Sequence, residues 1–266
     1  MEPPVDYHAD HSAISNSMLR NAERHGLPMY RDWYIDHVAS PPGATEAMNF
    51  GTRVHCGVLE PEKVAERFLV VPKLDLRKTG DKRRAEEIQV ELAATGRIAL
   101  TQQQETTARR VVERVFENQE AARLLAMDGE TEKPGYWIDR TTGLRCKRKV
   151  DKRFVDDGVV VVIDLKTCRE LPTERNVRKA IRDRCYDGQA AHYLDAEPPE
   201  ALKRFAWIFV QSVEPHAVAV WWASSDVIHG GREINSRTLG LISEAMTSGI
   251  WTIPEEITQN IVRKVR

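Results

Sequence analysis

Apolar residues recur at helical spacing through the first half of the chain and alternate with polar ones in much of the second. In "SAISNSMLRNAERHGLPMYRDWYIDH", Ile14, Met18, Leu19 and Ala22 form one stripe, with Ser12 or Ser15 as the N-cap. Pro41-Pro42-Gly43 breaks the chain before "TEAMNFGTRVHCGVLEPEKVAERF", a second predicted helix. Residues 62–85 are charged and aperiodic and predict a mobile loop. Residues 101–127 predict one long helix, with Val111, Val112, Val115, Phe116, Leu124 and Leu125 turned inward.

From Glu132 the period becomes two. "EKPGYWID", "LRCKRKVDKRFV" and "VVVVIDLKT" predict three strands joined by the short turns "RTTG" and "DDG". Residues 173–196 predict a helix, and "RFAWIFVQS" and "HAVAVWWA" two more strands. The tail predicts a helix interrupted at Gly230-Gly231. This order predicts an α/β (α+β) fold, a mixed central sheet flanked by helices. We read residues 1–266 as one domain: a mainly helical part over 1–130, an αβ core over 131–223 and a helical tail over 224–266.

Composition narrows the class. With 30% charged and 41% hydrophobic residues and a net charge of −1, the 266-residue chain reads as globular. No apolar run approaches the roughly 20 residues of a membrane span. The start "MEPPVDYHAD" lacks a secretory pattern, so a cytoplasmic location is expected. Cys56, Cys146, Cys168 and Cys185 are scattered, with no CxxC pair for a zinc ribbon. Basic residues cluster at 77–84, 145–153 and 175–184, which leaves nucleic acid open as a partner despite the balanced total.

The second basic cluster surrounds Asp151 and precedes the strand "VVVVIDLKT". Asp164 and Lys166, two residues apart on that strand, point to one side. On the next predicted helix Gln189 and Tyr193 are four apart and share a face. His55 lies on an otherwise largely apolar helical segment. Two carboxylates and a lysine suit metal-assisted attack on a phosphodiester: oxygen ligands hold Mg²⁺, and the ammonium orients water or stabilises developing charge.

The order Asp151, then Asp164-Leu165-Lys166, then Gln189 to Tyr193 resembles the PD-(D/E)xK nucleases, in the branch with a QxxxY motif. "FGTRVHCGVLEPEKVAERFLV", "TGLRCKRKVD", "VIDLKT" and "FVQSVEPHAVAV" are similar to the RecE-like exonucleases, the exonuclease VIII nuclease domain. The resemblance covers nearly the whole chain and suggests a phage or prophage origin. It implies a restriction-endonuclease-like core and a Mg²⁺-dependent 5′→3′ exonuclease on double-stranded DNA ends, with Mn²⁺ as a substitute metal. The product would be a 3′ single-stranded tail for a strand-annealing (RecT-like) partner, and the expected assembly is a homo-oligomeric ring.

Carried over residue by residue, Asp151, Asp164 and the Leu165 carbonyl would hold the metal, Lys166 would assist the water, and His55 would sit near the metal. Gln189 and Tyr193 would hold the site and contact DNA. Glu132 is a further candidate acid. Val150 stands where the family has proline. Arg145, Lys147, Lys149 and Ser15 are candidate DNA contacts, though Ser15, like Ser17, is also explained as a cap residue. Trp221 and Trp222 read as one core and one surface residue, with base stacking as the sharper alternative. A related iron–sulfur nuclease is excluded, because it needs three cysteines near the C-terminus and none follows Cys185. The remaining alternative is a catalytically inactive DNA-binding or protein-interaction module on the same fold, but decay of that kind usually removes an acid or the lysine.

Overall fold

The computed structural model describes Tyr7 and residues 9–252. Ser15 caps α1 (Asn16–Tyr34), its hydroxyl accepting from the Met18 amide. α1 kinks at Gly26, whose φ of 81° suits only glycine, just ahead of Pro28. α2 (Glu46–Leu59) begins at its Thr45 cap. The stretch 62–85, expected as a mobile loop, is largely regular. A 3-10 turn at Pro61–Lys63 leads into α3 (Val64–Arg67) and β1 (Phe68–Val71), and α4 (Thr79–Thr95) starts within it. β1 pairs in parallel with β2 (Ile98–Thr101), burying Phe68 and Leu100 against Cys56. Four-residue strands are too short for their periodicity to stand out.

The long helix expected over 101–127 is two helices, α5 (Gln102–Glu117) and α6 (Gln119–Ala126). Asn118 leaves helical geometry (φ −77°, ψ 114°) and its side chain accepts from the Ala121 amide, capping α6. Phe116 is consequently exposed, while Val111, Val115 and Leu124 are buried as the pattern predicted.

Then come β3 (Gly129–Ile138), β4 (Arg145–Asp156), β5 (Val159–Cys168), α7 (Glu174–Arg184), α8 (Tyr186–Asp195), β6 (Leu202–Gln211), β7 (Val218–Trp222) and α9 (Ser225–Ser248). The strands form one mixed sheet in the order β3-β4-β5-β6-β7, parallel only between β5 and β6. The single helix expected over 173–196 breaks at Cys185, a non-glycine residue at φ 54°. The break expected at Gly230-Gly231 does not occur. A Cβ on Gly231 would lie 2.2 Å from the Asp187 carbonyl oxygen, so this glycine serves a close contact of α9 with α8.

β5 is apolar on both faces because both are covered. Val161, Ile163 and Leu165 pack with Val54, Val111 and Leu124, whereas Val160 and Val162 pack with Val177, Ala190 and Leu194. Burial of each such side chain contributes about 1.5–3 kcal/mol, which fixes where the polar residues after Ile163 emerge. Met18, Leu19 and Tyr30 of α1 pack separately on Leu239 and Ile242 of α9. Ile14 bonds by its main chain to β4, donating to the Arg145 carbonyl and accepting from the Lys147 amide. Among the described residues, no helix is long and apolar enough to cross a membrane.

Candidate active site

The registers of three strands converge on one row. Thr131 pairs with Lys152 and Lys133 with Val150, so Glu132 lies opposite Asp151. Lys152 pairs with Ile163, so the next position along places Asp151 opposite Asp164. Neither pair forms: the β3–β4 ladder is interrupted at this row and the β4–β5 ladder ends beside it, where three carboxylates would otherwise lie side by side. Like charges directly opposite are destabilising in a sheet, which accounts for the interruption. Glu132 sits at φ 52°, a left-handed conformation rare for a non-glycine residue. Asp151 is in the middle of β4 but at the end of its ladder with β5. Its Oδ2 accepts from the Leu165 amide at 2.7 Å.

α2 adds the imidazole. Gly51, whose Cβ would meet Thr167 Oγ1 at 3.1 Å, lets α2 approach β5 closely. One turn later His55 Nδ1 lies 3.4 Å from Asp151 Oδ2. Ligand atoms of His55, Glu132 and Asp151 all lie within 4.8 Å of one another.

α8 supplies the other wall. Gln189 Nε2 donates to Asp164 Oδ1 at 2.8 Å and to the Tyr193 hydroxyl at 3.2 Å. Lys166 Nζ is 2.7 Å from Asp164 Oδ2 but lies off the hydrogen-bonding direction, leaving that buried oxygen without a hydrogen bond. Tyr186, absent from the sequence reading, places its ring 4.6 Å from Lys166 Nζ. The signal was available, since Tyr186, Gln189 and Tyr193 follow i, i+3, i+7 spacing, but the break at Cys185 hid the start of the helix.

Negative charge exceeds positive in this row. Lys149 pairs with Glu132 and Lys166 with Asp164, whereas His55 is the only ionisable ion-pair partner of Asp151 among the described residues. Burial, followed by the Lys166 ammonium, pushes the His55 pKa down, which favours a neutral ring with a free lone pair. Burial raises Asp151 to about 7, with Glu132 adding to the shift. Burial raises Asp164 to about 6, Asp151 adding and Lys166 opposing. Burial works against the Lys166 charge too, but Asp164, Tyr186 and Asp151 together outweigh it and its pKa rises. Two carboxylates whose pKa values burial raises, one of them with an oxygen lacking a hydrogen bond, fit a divalent cation. Carboxylate oxygens with one imidazole are a donor set for Mg²⁺ or Mn²⁺.

Two clefts meet here. One, of about 890 Å³, is lined by residues including Arg67, Arg169, Arg184 and Tyr186; the other, of about 390 Å³, by Ser15, Ser17, Arg20, Gln189 and Tyr193. Glu132, Lys149 and Lys166 line both. The candidate DNA contacts of β4 divide. Lys149 faces the clefts. Lys147 also lines the smaller cleft, but its ammonium is committed to the Tyr7 and Asp10 carbonyls, and the Arg145 guanidinium lies over the Tyr136 ring and donates to Ser12 Oγ. These side chains anchor the segment before α1, a role that a basic run does not reveal. Trp221 and Trp222 are both half-buried rather than one core and one surface. Their indoles donate to the Pro172 carbonyl and to Glu120.

A family model described as "PDDEXK-like domain of unknown function (DUF3799)" matches residues 34–253. The chain belongs to this family. Membership places it in the PD-(D/E)xK nuclease superfamily. The PDDEXK-like chain is similar in structure to a "Putative exonuclease" from Eubacterium rectale, with TM-score 0.64 and 13% identity over 94% of this chain and 88% of that one. Likeness at that identity establishes the shared fold. The structure of SSO0001 aligns with 72% of this chain and 84% of its own at 17% identity, but its TM-score of 0.28 carries no structural argument. No curated protein matches the chain.

Proposed function

We propose that the protein is a Mg²⁺-dependent 5′→3′ exodeoxyribonuclease of RecE-like type. It degrades linear double-stranded DNA and leaves 3′ single-stranded tails for a strand-annealing partner. The observation that carries the reading is the row Glu132, Asp151 and Asp164, beside Lys166, at the meeting of two clefts. A divalent cation held by Asp151, Asp164, Glu132 and the Leu165 carbonyl, with His55 adjoining, would neutralise phosphate charge and make a water nucleophilic at neutral pH. Mn²⁺ would substitute, since imidazole suits it.

The chain's own groups do the rest. Gln189 fixes the Asp164 carboxylate, and Tyr193 fixes Gln189. Lys166 orients the attacking water and stabilises the charge that builds on the phosphate oxygens. Lys149, Arg169 and Arg184 line the larger cleft with positive charge for the DNA backbone. In the smaller cleft the Ser15 and Ser17 hydroxyls, with Arg20, lie at the N-terminal end of α1, where backbone amides favour an anion. A 5′-terminal phosphate bound there would direct action from that end. The exonuclease name of the Eubacterium rectale structure and the sequence resemblance support the same reading. The ring assembly and the annealing partner rest on the resemblance.

Digestion of linear duplex labelled separately at its 5′ and 3′ ends, beside covalently closed circles, tests the proposal. Mg²⁺-dependent release of the 5′ label first, with intact circles, is expected. Rapid cutting of closed circles or early loss of the 3′ label would overturn it.

A further inference from the structure

Lys166 has a second neighbour besides Asp164. Its ammonium lies 4.6 Å from the centre of the Tyr186 ring, within the range where a cation is attracted to an aromatic face. Tyr186 is 8% exposed, and its ring sits against Phe209 of β6. It is the first residue of α8, delivered there by Cys185 at φ 54°. Left-handed geometry at a non-glycine residue carries a cost and persists where the surroundings fix it. Here it turns the chain so that one stripe of α8 covers the site: Gln189 holds Asp164, and Tyr186 one turn earlier meets Lys166. Tyr186 and its neighbour Arg184 both line the larger cleft.

We infer that Tyr186 is a positioning residue that keeps the Lys166 ammonium in place when Asp164 is claimed by a cation. This rests on the nuclease reading above. Asp164 is at once the counter-ion of Lys166 and a candidate metal ligand. A carboxylate shared with a divalent cation attracts a nearby ammonium less, and a lysine has four rotatable bonds by which to swing into the cleft. The attraction of the Tyr186 ring comes from its quadrupole and is not shared with a metal on Asp164. The ring wall therefore restrains Lys166 when the carboxylate restrains it least. Its face rather than its hydroxyl does this.

The test compares Tyr186→Met, which keeps an apolar filling but removes the ring, with Tyr186→Phe, which keeps the ring. Tyr186→Leu serves in place of the methionine variant if that one unfolds. With Mg²⁺ added and no DNA, the Lys166 ε-methylene protons of ¹³C-lysine-labelled wild type should resonate upfield of the other lysines, because they lie over an aromatic face. They should join the other lysines in Tyr186→Met. In turnover, Tyr186→Met should lose about tenfold in kcat with KM nearly unchanged, of the size a partly buried cation–π contact supports. Tyr186→Phe should restore it, and Tyr186→Met should cost nothing further in a Lys166→Ala background. An unshifted Lys166 signal in wild type, a phenylalanine variant as slow as the methionine one, or additive losses with Lys166→Ala would overturn the inference. Absence of DNA cleavage by wild type would sink the nuclease reading alone, since the resonance reports the contact without any reaction.

Discussion

Glu197 and Asp151 are both carboxylates buried against β4, and the strand treats them in opposite ways. Glu197 is held by Arg148 and, at 2.8 Å twice over, by Arg153. Burial opposes its charge, yet the two guanidiniums, Arg153 foremost, draw its pKa below the ordinary value. Glu105 repeats the pattern with Arg53 and Arg109. Asp151 has only a largely neutral histidine for an ion-pair partner and a second carboxylate opposite, and its pKa rises to about 7. Where a buried carboxylate is over-supplied with cation it ties elements together. Where it is under-supplied, the fold is open to a cation from outside.

The largest expected effect would break the first half of that contrast. Glu197→Gln leaves the buried Arg148 guanidinium and the half-buried Arg153 one without their anion and should cost about 3–5 kcal/mol in urea unfolding. A loss under 1 kcal/mol would show that the cluster holds little together. Lys166→Ala tests the second half. It should lower kcat at least about a hundredfold, by analogy with losing one preorganised donor, while metal and DNA-end binding persist. If Lys166 formed only a structural ion pair, turnover would be unchanged.

The pH dependence separates the two clusters by sign. Asp151 and Asp164 bind protons more tightly folded than unfolded, so metal-free stability contributed by them falls as pH rises from about 4 to about 7. Asp151→Asn should therefore stabilise the metal-free protein at pH 8, by about 1–3 kcal/mol, the usual cost of an uncompensated buried group. The gain should vanish near pH 4. Glu197 behaves oppositely: its contribution is full above its unfolded pKa and is lost as pH falls through its lowered folded value. Denaturation curves from pH 4 to 8 on both variants decide this, and slopes of the same sign would undo the comparison. The smallest effect concerns charge in neither cluster. Arg83 and Arg84 are exposed and pair with Glu87. Their replacement by alanine should change stability by less than about 0.5 kcal/mol. Each that contacts a phosphate should reduce the salt slope of DNA binding by about one.

Much of the contrast was legible in the sequence. The strand Val159–Cys168 is apolar on both faces and then polar, a pattern that one chain displays without its neighbours. Asp164, Lys166, Gln189 and Tyr193 follow from spacing along one strand and one helix. The row through Glu132 does not, because it depends on the register of three strands, which one strand's spacing does not reveal. Lys147 and Lys149 look alike in the sequence; only the segment before α1, bonded to β4 through Ile14, decides that the Lys147 ammonium anchors the chain while that of Lys149 pairs with Glu132. The helix breaks at Asn118 and Cys185 escaped notice because neither is glycine or proline, and Gly230-Gly231 misled because the contact it permits comes from α8.

The central claim is that the row Glu132, Asp151 and Asp164 receives a divalent cation. Calorimetric titration of Mn²⁺ into the protein at pH 7.5, in buffers of different ionisation heat, tests it most directly. The account predicts saturable binding with proton release, because carboxylates with raised pKa values give up protons to the metal. Binding should weaken at least about tenfold in Asp151→Asn, as expected for loss of a charged ligand worth more than about 1.4 kcal/mol. Equal affinity in wild type and Asp151→Asn would contradict it.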